Sequence, residues 1–183
     1  MRFVETPLAG AFLVEPERYD DERGHFQRIW SQAELHSRDL TEALSYTAMS
    51  YNIRVGTLRG MHLQLHPHEE AKLVRCMRGS LYDVIVDLRA DSATCGSWFG
   101  VELNADTGCA LFVPEGFAHG FQTLTDHAVA LYHLSAAWAP DASTGVRWDD
   151  PAFGIDWPDV PRRIMNERDR TWPDYDPGGT FFR

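Results

Sequence analysis

The sequence predicts an all-β fold, a sandwich or barrel, on three observations. Short β-rich segments recur through the middle of the chain, with Gly, Asp, Asn or Pro between most of them. Helix signals are sparse. The turn signals are closely spaced, which favours hairpins over the long crossovers of βαβ units. The 183 residues fit a single domain, 1–183, long enough for a core without disulfide or metal staples. An apolar fraction of 44% supports the same reading.

The elements follow in order. The opening MRFVETPLAGAFLVEP has no sustained apolar run, and Glu5 interrupts it, so it does not read as a signal peptide. SQAELHSRDL (31–40) is the best helix candidate, with Ser31 as N-cap and Glu34 completing a capping box. In the next segment Met61, Leu63 and Leu65 share one face, and His62 and Gln64 the other. With the first face in the core, His62 projects into a barrel lumen beside Gln64. KLVRCM then reads as a strand. In LYDVIVDL (81–88), Tyr82, Val84, Val86 and Leu88 form a plain core face. Its other face, Leu81, Asp83, Ile85 and Asp87, sets acids among apolar groups, as the lining of a polar pocket does. SWFGVEL, CALFVP, HGFQTL and AVALYHLS are further strands. From Pro140 the chain is rich in Pro, Asp and Trp, and is expected to pack over the barrel as loops and short helices.

Composition excludes some functions. A formal net charge of −10 argues against general nucleic-acid binding, though it leaves room for a local basic pocket. No apolar run is long enough to span a bilayer. Cys76, Cys95 and Cys109 are odd in number and widely spaced, which fits a reducing compartment. The expected location is the cytoplasm.

The stretch LRGMHLQLHPHEEAK (58–72) raises the question of a metal. Gly60, His66, His68, Lys72 and Gly79 have the spacing G-x5-H-x-H-x3-E-x6-G, with Lys72 in the place of the Glu. Gly108, Pro114, Gly116, His119 and Thr123 have the spacing G-x5-P-x-G-x2-H-x3-N, with Thr for Asn. These are the two cupin motifs, and they narrow the fold to a double-stranded β-helix, the cupin or jelly-roll barrel, with a few short peripheral helices. Lys72 changes the chemistry. A divalent ion wants neutral imidazoles and an anionic oxygen, whereas an ammonium repels it and favours an anion. The expectation is therefore no metal and no other cofactor.

GTLRGMHLQ, EAKLVRCMRGSLYDVIVDLR, FVPEGFAHGF and GVRWDDPAFGIDWP, with DDERGHFQRIW (20–30) and NERDR (166–170), resemble the dTDP-4-dehydrorhamnose 3,5-epimerase family over essentially the whole chain. The resemblance implies a metal-independent cupin, usually a homodimer, acting on a nucleotide-linked 4-keto-6-deoxyhexose. A C4 ketone acidifies the hydrogens at C3 and C5. Inversion then needs a base on one face, an acid on the other and a cation for the enolate oxygen. The resemblance implies His62 as base, Asp169 as the carboxylate that orients it, Tyr132 as acid and Lys72 as the cation. It implies Arg23, Arg59 and Arg168 at or near the nucleotide diphosphate, His119 against the substrate, and Phe26 lining the nucleotide site. Gln64 shares the lumen face of His62, Trp138 stands where the family has a stacking Tyr, and Asp83 is a candidate to hold His119 or another lumen donor. Taken alone, His62 reads as a buried, hydrogen-bonded histidine and Tyr132 as a core or interface tyrosine.

The chain departs from the family at the nucleotide end. Arg28 and Ser143 replace glutamates, and Thr47, Ala48 and Met49 replace a Gln-x-Asn stretch. These changes imply altered nucleotide or sugar preference. Competing readings are a sugar-nucleotide 3,4-ketoisomerase, which shares the enolate step, a metal-dependent cupin using His66, His68 and His119, and a catalytically silent ligand-binding cupin.

Overall fold

A computed structural model describes residues 1–40, 44–176 and 178. The strands are β1 (Arg2–Glu5), β2 (Phe12–Glu15), β3 (Arg18–Asp21), β4 (Gly24–Gln27), β5 (Tyr46–Asn52), β6 (Leu58–Gln64) and β7 (Lys72–Arg78). They continue as β8 (Ser80–Asp87), β9 (Trp98–Asn104), β10 (Ala110–Val113), β11 (Phe117–Thr123), β12 (Ala128–Leu134) and β13 (Ser143–Gly145). Two short helices, α1 (Gln32–His36) and α2 (Glu167–Arg170), lie at the periphery.

One sheet has the order β1-β2-β10-β7-β12-β5 and the other β13-β6-β11-β8-β9. Its pairings are antiparallel throughout. Between the sheets lies a layer of Val74, Cys76, Leu81, Ile85, Leu103, Leu111, Phe121 and Ala130, each at most 1% exposed. Burying one such Leu or Ile stabilises the fold by about 1.5–3 kcal/mol. This is the expected all-β jelly-roll architecture.

Both outer faces are also covered. Leu35 and Leu73 close one, with Trp30 and Phe3 packed beside them. Val146, Phe153 and Trp157 of the C-terminal segment close the other, over Met61, Leu63, Val84 and Val86. The two faces of β8 therefore divide differently from the expectation. Leu81 and Ile85 fill the interior, while Val84 and Val86 pack under the tail. Asp87 does not line a pocket. It is buried under Arg89, Ser92 and Thr94, which donate to its carboxylate and secure the loop after β8.

The helix over 31–40 is shorter than expected. Ser31 does cap α1, accepting the Glu34 N–H at 3.4 Å. The reciprocal half of the capping box is absent, because the Glu34 carboxylate takes the Met1 amino group at 2.8 Å and Arg28 at 3.3 Å. Two cations compete better for it than one backbone amide.

Close contact between β6 and β11 sets the site. A Cβ on Gly120 would lie 2.6 Å from Met61 Sδ and 2.7 Å from the Arg59 carbonyl oxygen. Gly60, at φ +131°, would clash likewise with Gly120. Only glycines permit this approach, which places His62 directly opposite His119.

Candidate active site

A cavity of about 350 Å³ opens between the sheets. β6 and β11 contribute His62 and His119 from one sheet; β5, β7 and β12 contribute Tyr46, Ala48, Lys72, Tyr132 and Leu134 from the other. An imidazole and a phenol thus come from opposing walls.

His62 is held from behind. Its Nε2 lies 2.7 Å from Asp169 Oδ1, across 107 positions of sequence. Local folding explains this reach. Leu58 and Ile164 bond through their backbones, and so do Ile164 and Gly56, which ties the tail to the start of β6. Asn166 then caps α2 by accepting the Asp169 N–H at 2.7 Å, and the carboxylate turns inward. Its Oδ2 accepts the Gly60 N–H at 3.1 Å. Burial by itself would raise the Asp169 pKa; His62, the Gly60 amide and Asn166 outweigh it and hold the carboxyl below its ordinary range. An ionised Asp169 makes Nε2 the protonated ring nitrogen, leaving Nδ1 as the basic atom.

Lys72 is 6% exposed. Its ammonium donates to the His62 carbonyl at 3.2 Å and pairs with Glu70 at 3.3 Å, so the cation bridges the two walls. Tyr132 Oη lies 3.1 Å from Ser50 Oγ. Burial pushes this phenol well above its usual pKa, while the Ser50 hydrogen bond and the Arg59 charge pull it back. Its ring meets that of His119 edge to face, 6.2 Å between centroids. Asp83, fully buried, takes His119 Nε2 at 2.9 Å and reaches the cavity only through that ring.

Arg59, Gln64, Trp138 and Arg168 also line the cavity. The Gln64 amide is already engaged. It donates to the carbonyls of His68 and Ala137, and its oxygen accepts the Ala139 N–H at 2.6 Å. It therefore shapes the loop at the rim. Trp138 is 62% exposed at the mouth. Arg168 donates to Ser143 and lies over the Trp172 ring.

Two expected residues are not brought in. Arg23 and Phe26 sit on the β3–β4 hairpin, outside the cavity lining. Arg23 pairs with Asp21, and Phe26 is 68% exposed. Nor does the chain assemble the alternative metal set. His66 and His68 are exposed beyond the end of β6 while His119 is buried, and no His/Cys/Asp/Glu cluster suited to a metal occurs among the described residues. The departures divide between the cavity and the outer face. Thr47 and Met49 point away from the cavity, and their neighbours Tyr46 and Ala48 line it.

The sequence reading missed Tyr46, Glu70 and Ser50. Glu70 was legible as an acid two residues before Lys72. Ser50 shares the alternation of Tyr46 and Ala48, but an unanchored strand gave no means of deciding which parity faced inward.

A sequence model of the dTDP-4-dehydrorhamnose 3,5-epimerase family matches residues 5–176. The chain belongs to this family. A dTDP-4-dehydrorhamnose 3,5-epimerase from Methanothermobacter thermautotrophicus is 42% identical over 173 residues, 93% of this chain and 92% of that protein. The crystal structure of the Bacillus anthracis enzyme with TDP and PPi bound superimposes with a TM-score of 0.91 at 38% identity, covering 95% and 99% of the two chains. A Legionella pneumophila enzyme in complex with dTDP-4-keto-L-rhamnose gives 0.87 at 30% identity, covering 92% and 89%. Membership makes the chain an isomerase of the epimerase type on a jelly-roll scaffold.

Proposed function

We propose that this protein inverts C3, C5 or both of a nucleotide-linked 4-keto-6-deoxyhexose, with dTDP as the nucleotide. The observation that carries the reading is the placement of His62 and Tyr132 on opposing walls of one cavity that also holds the Lys72 ammonium. His62 Nδ1 removes the acidic proton, and Asp169 stabilises the imidazolium that results. Charge moves to the C4 oxygen, where Lys72 neutralises it. Tyr132 returns a proton to the opposite face, and the centre is inverted. The chain's own side chains supply base, acid and cation, so the reaction calls for no cofactor. Arg59 and Arg168, with Trp138 at the mouth, are suited to the diphosphate and base. The test is incubation with dTDP-4-keto-6-deoxyglucose in deuterium oxide, followed by NMR. Deuterium at C3 or C5 of an inverted product supports the reading; no exchange at either carbon overturns it.

The functional unit is read as a cytoplasmic homodimer formed from the single domain 1–183. The outer face of the β5-β12-β7 sheet presents Met49, Tyr51 and Met77, each at least 45% exposed, as a surface for a second copy. Arg23 and Phe26 can serve substrate only in the cavity of another chain. Light scattering after size exclusion tests this, and a monomer at micromolar concentration refutes it. Among the described residues no helix is long and apolar enough to cross a membrane.

A further inference from the structure

Behind Tyr132 runs a row of polar side chains that the reaction as described does not use. Ser50 Oγ lies 3.1 Å from Tyr132 Oη. Asn52 Nδ2 lies 3.4 Å from the same Ser50 Oγ. Asn52 Oδ1 in turn accepts the Arg59 Nε–H at 2.8 Å. β5 brings Ser50 and Asn52 to the cavity side, because its even positions face inward.

Proton bookkeeping fixes the direction of the two bonds that Asn52 makes along this row. Arg59 only donates, so the oxygen of the Asn52 amide must face it. That turns the NH2 toward Ser50 and toward the Ala128 carbonyl, which it reaches at 3.2 Å. Ser50 Oγ therefore accepts from Asn52. Its single proton has one acceptor within reach among the described residues, Tyr132 Oη. If Tyr132 donated to Ser50 instead, the phenol's proton would be held against β5 and turned away from a sugar in the cavity.

We infer that Ser50 is a positioning residue for the acid: held by Asn52, it donates to Tyr132 Oη and turns the phenol's own proton into the cavity. This rests on the epimerase reading. It adds what a phenol alone lacks, a fixed direction for the proton before transfer and a donor for the phenolate after it. When Tyr132 gives up its proton to carbon, the O–H bond breaks, a C–H bond forms and the charge left on Oη is met by the Ser50 hydroxyl. Arg59 keeps both terminal nitrogens clear of hydrogen bonds among the described residues, so a diphosphate bound there holds the far end of the same row.

The test separates the two half-reactions. Wash-in of solvent deuterium with retained configuration needs only His62; inversion needs Tyr132 as well. Ser50→Ala is expected to keep wash-in within about threefold of wild type and to lower inversion by tenfold or more, with Ser50→Thr recovering most of it. Equal rates of inversion in Ser50→Ala and wild type, or a parallel loss of wash-in and inversion, would overturn the assignment. A second measurement does not depend on turnover. The tyrosines are replaced by 3,5-difluorotyrosine, and the ¹⁹F signal of residue 132 is assigned by its loss in Tyr132→Phe. Ser50→Ala should then raise the titration of that phenol by about one unit. An unchanged titration would refute the hydrogen bond even in a protein with no epimerase activity. Failure of the wild-type protein to exchange any 4-keto sugar would instead refute the function, leaving the ¹⁹F result to decide the role of Ser50.

Discussion

Replacing Asp169 by Asn keeps the shape of the site and reverses one donor. The carboxylate accepts twice, from His62 Nε2 at 2.7 Å and from the Gly60 N–H at 3.1 Å. In Asp169→Asn the amide oxygen must stay on the Gly60 N–H, since that amide is buried and has no other acceptor among the described residues. The NH2 then points at Nε2. The neutral ring responds by carrying its proton on Nδ1, the atom that must abstract. Two losses combine. A carboxylate–imidazolium hydrogen bond is worth about 1.5–3 kcal/mol, or roughly 10- to 150-fold in rate. Restoring the basic tautomer means breaking the new amide bond, about 1 kcal/mol more. Together, about 2.5–4 kcal/mol, they predict a loss of about 10²- to 10³-fold, less than the roughly 10⁴-fold of the same exchange in a serine-protease triad. The assay is the initial rate of deuterium wash-in at saturating substrate, with thermal unfolding as a control on folding. A loss below tenfold, in a protein that melts like wild type, would refute the claim that Asp169 sets the base.

Other perturbations follow from the same geometry. His62→Ala should abolish both wash-in and inversion while dTDP binding by calorimetry stays within about threefold, since the ring acts mainly in the transition state. Lys72→Ala should lower kcat and raise KM, because it strips the enolate oxygen of its cation and leaves Glu70 with only the Gln64 amide as a partner. Gly120→Ala should destabilise the fold by about 2 kcal/mol or more in urea and reduce turnover, as the new methyl forces β6 from β11. Asp87→Asn tests pH linkage. Burial would raise this carboxyl, but Arg89, Ser92 and Thr94 outweigh it and hold the pKa at about 2, against 3.8 ordinarily. The stabilisation, about 2 kcal/mol, is present above pH 4 and is lost as pH falls toward 2. Urea midpoints of the two proteins should differ at pH 7 and converge near pH 2.

What the sequence made legible was local and periodic. The alternation Met61-His62-Leu63-Gln64 placed His62 on the cavity side, and β7 to β12 all coincide with segments that alternate or run apolar between turns. The motif around Lys72 gave the chemistry of the wall. What stayed hidden was set by tertiary context. Glu34 had two possible partners, and only the folded position of the N-terminus decides between them. β5 has a small or polar residue on both parities, so its inward face was unreadable until β12 paired with it. The β3–β4 hairpin carries residues that match a substrate site but lie away from the cavity of their own chain, which no local pattern records. Asp83 was placed with His119 correctly, because two polar groups on neighbouring interior strands need each other.

The central claim concerns faces, so the most direct measurement is a crystal structure of the protein with a dTDP-linked 4-keto-6-deoxyhexose, trapped in Asp169→Asn. The account predicts the sugar ring between the walls, His62 Nδ1 and Tyr132 Oη on opposite sides of the reacting carbon, and Lys72 Nζ within hydrogen-bond distance of the C4 oxygen. A ring with both groups on one side, or a C4 oxygen turned away from Lys72, would contradict it.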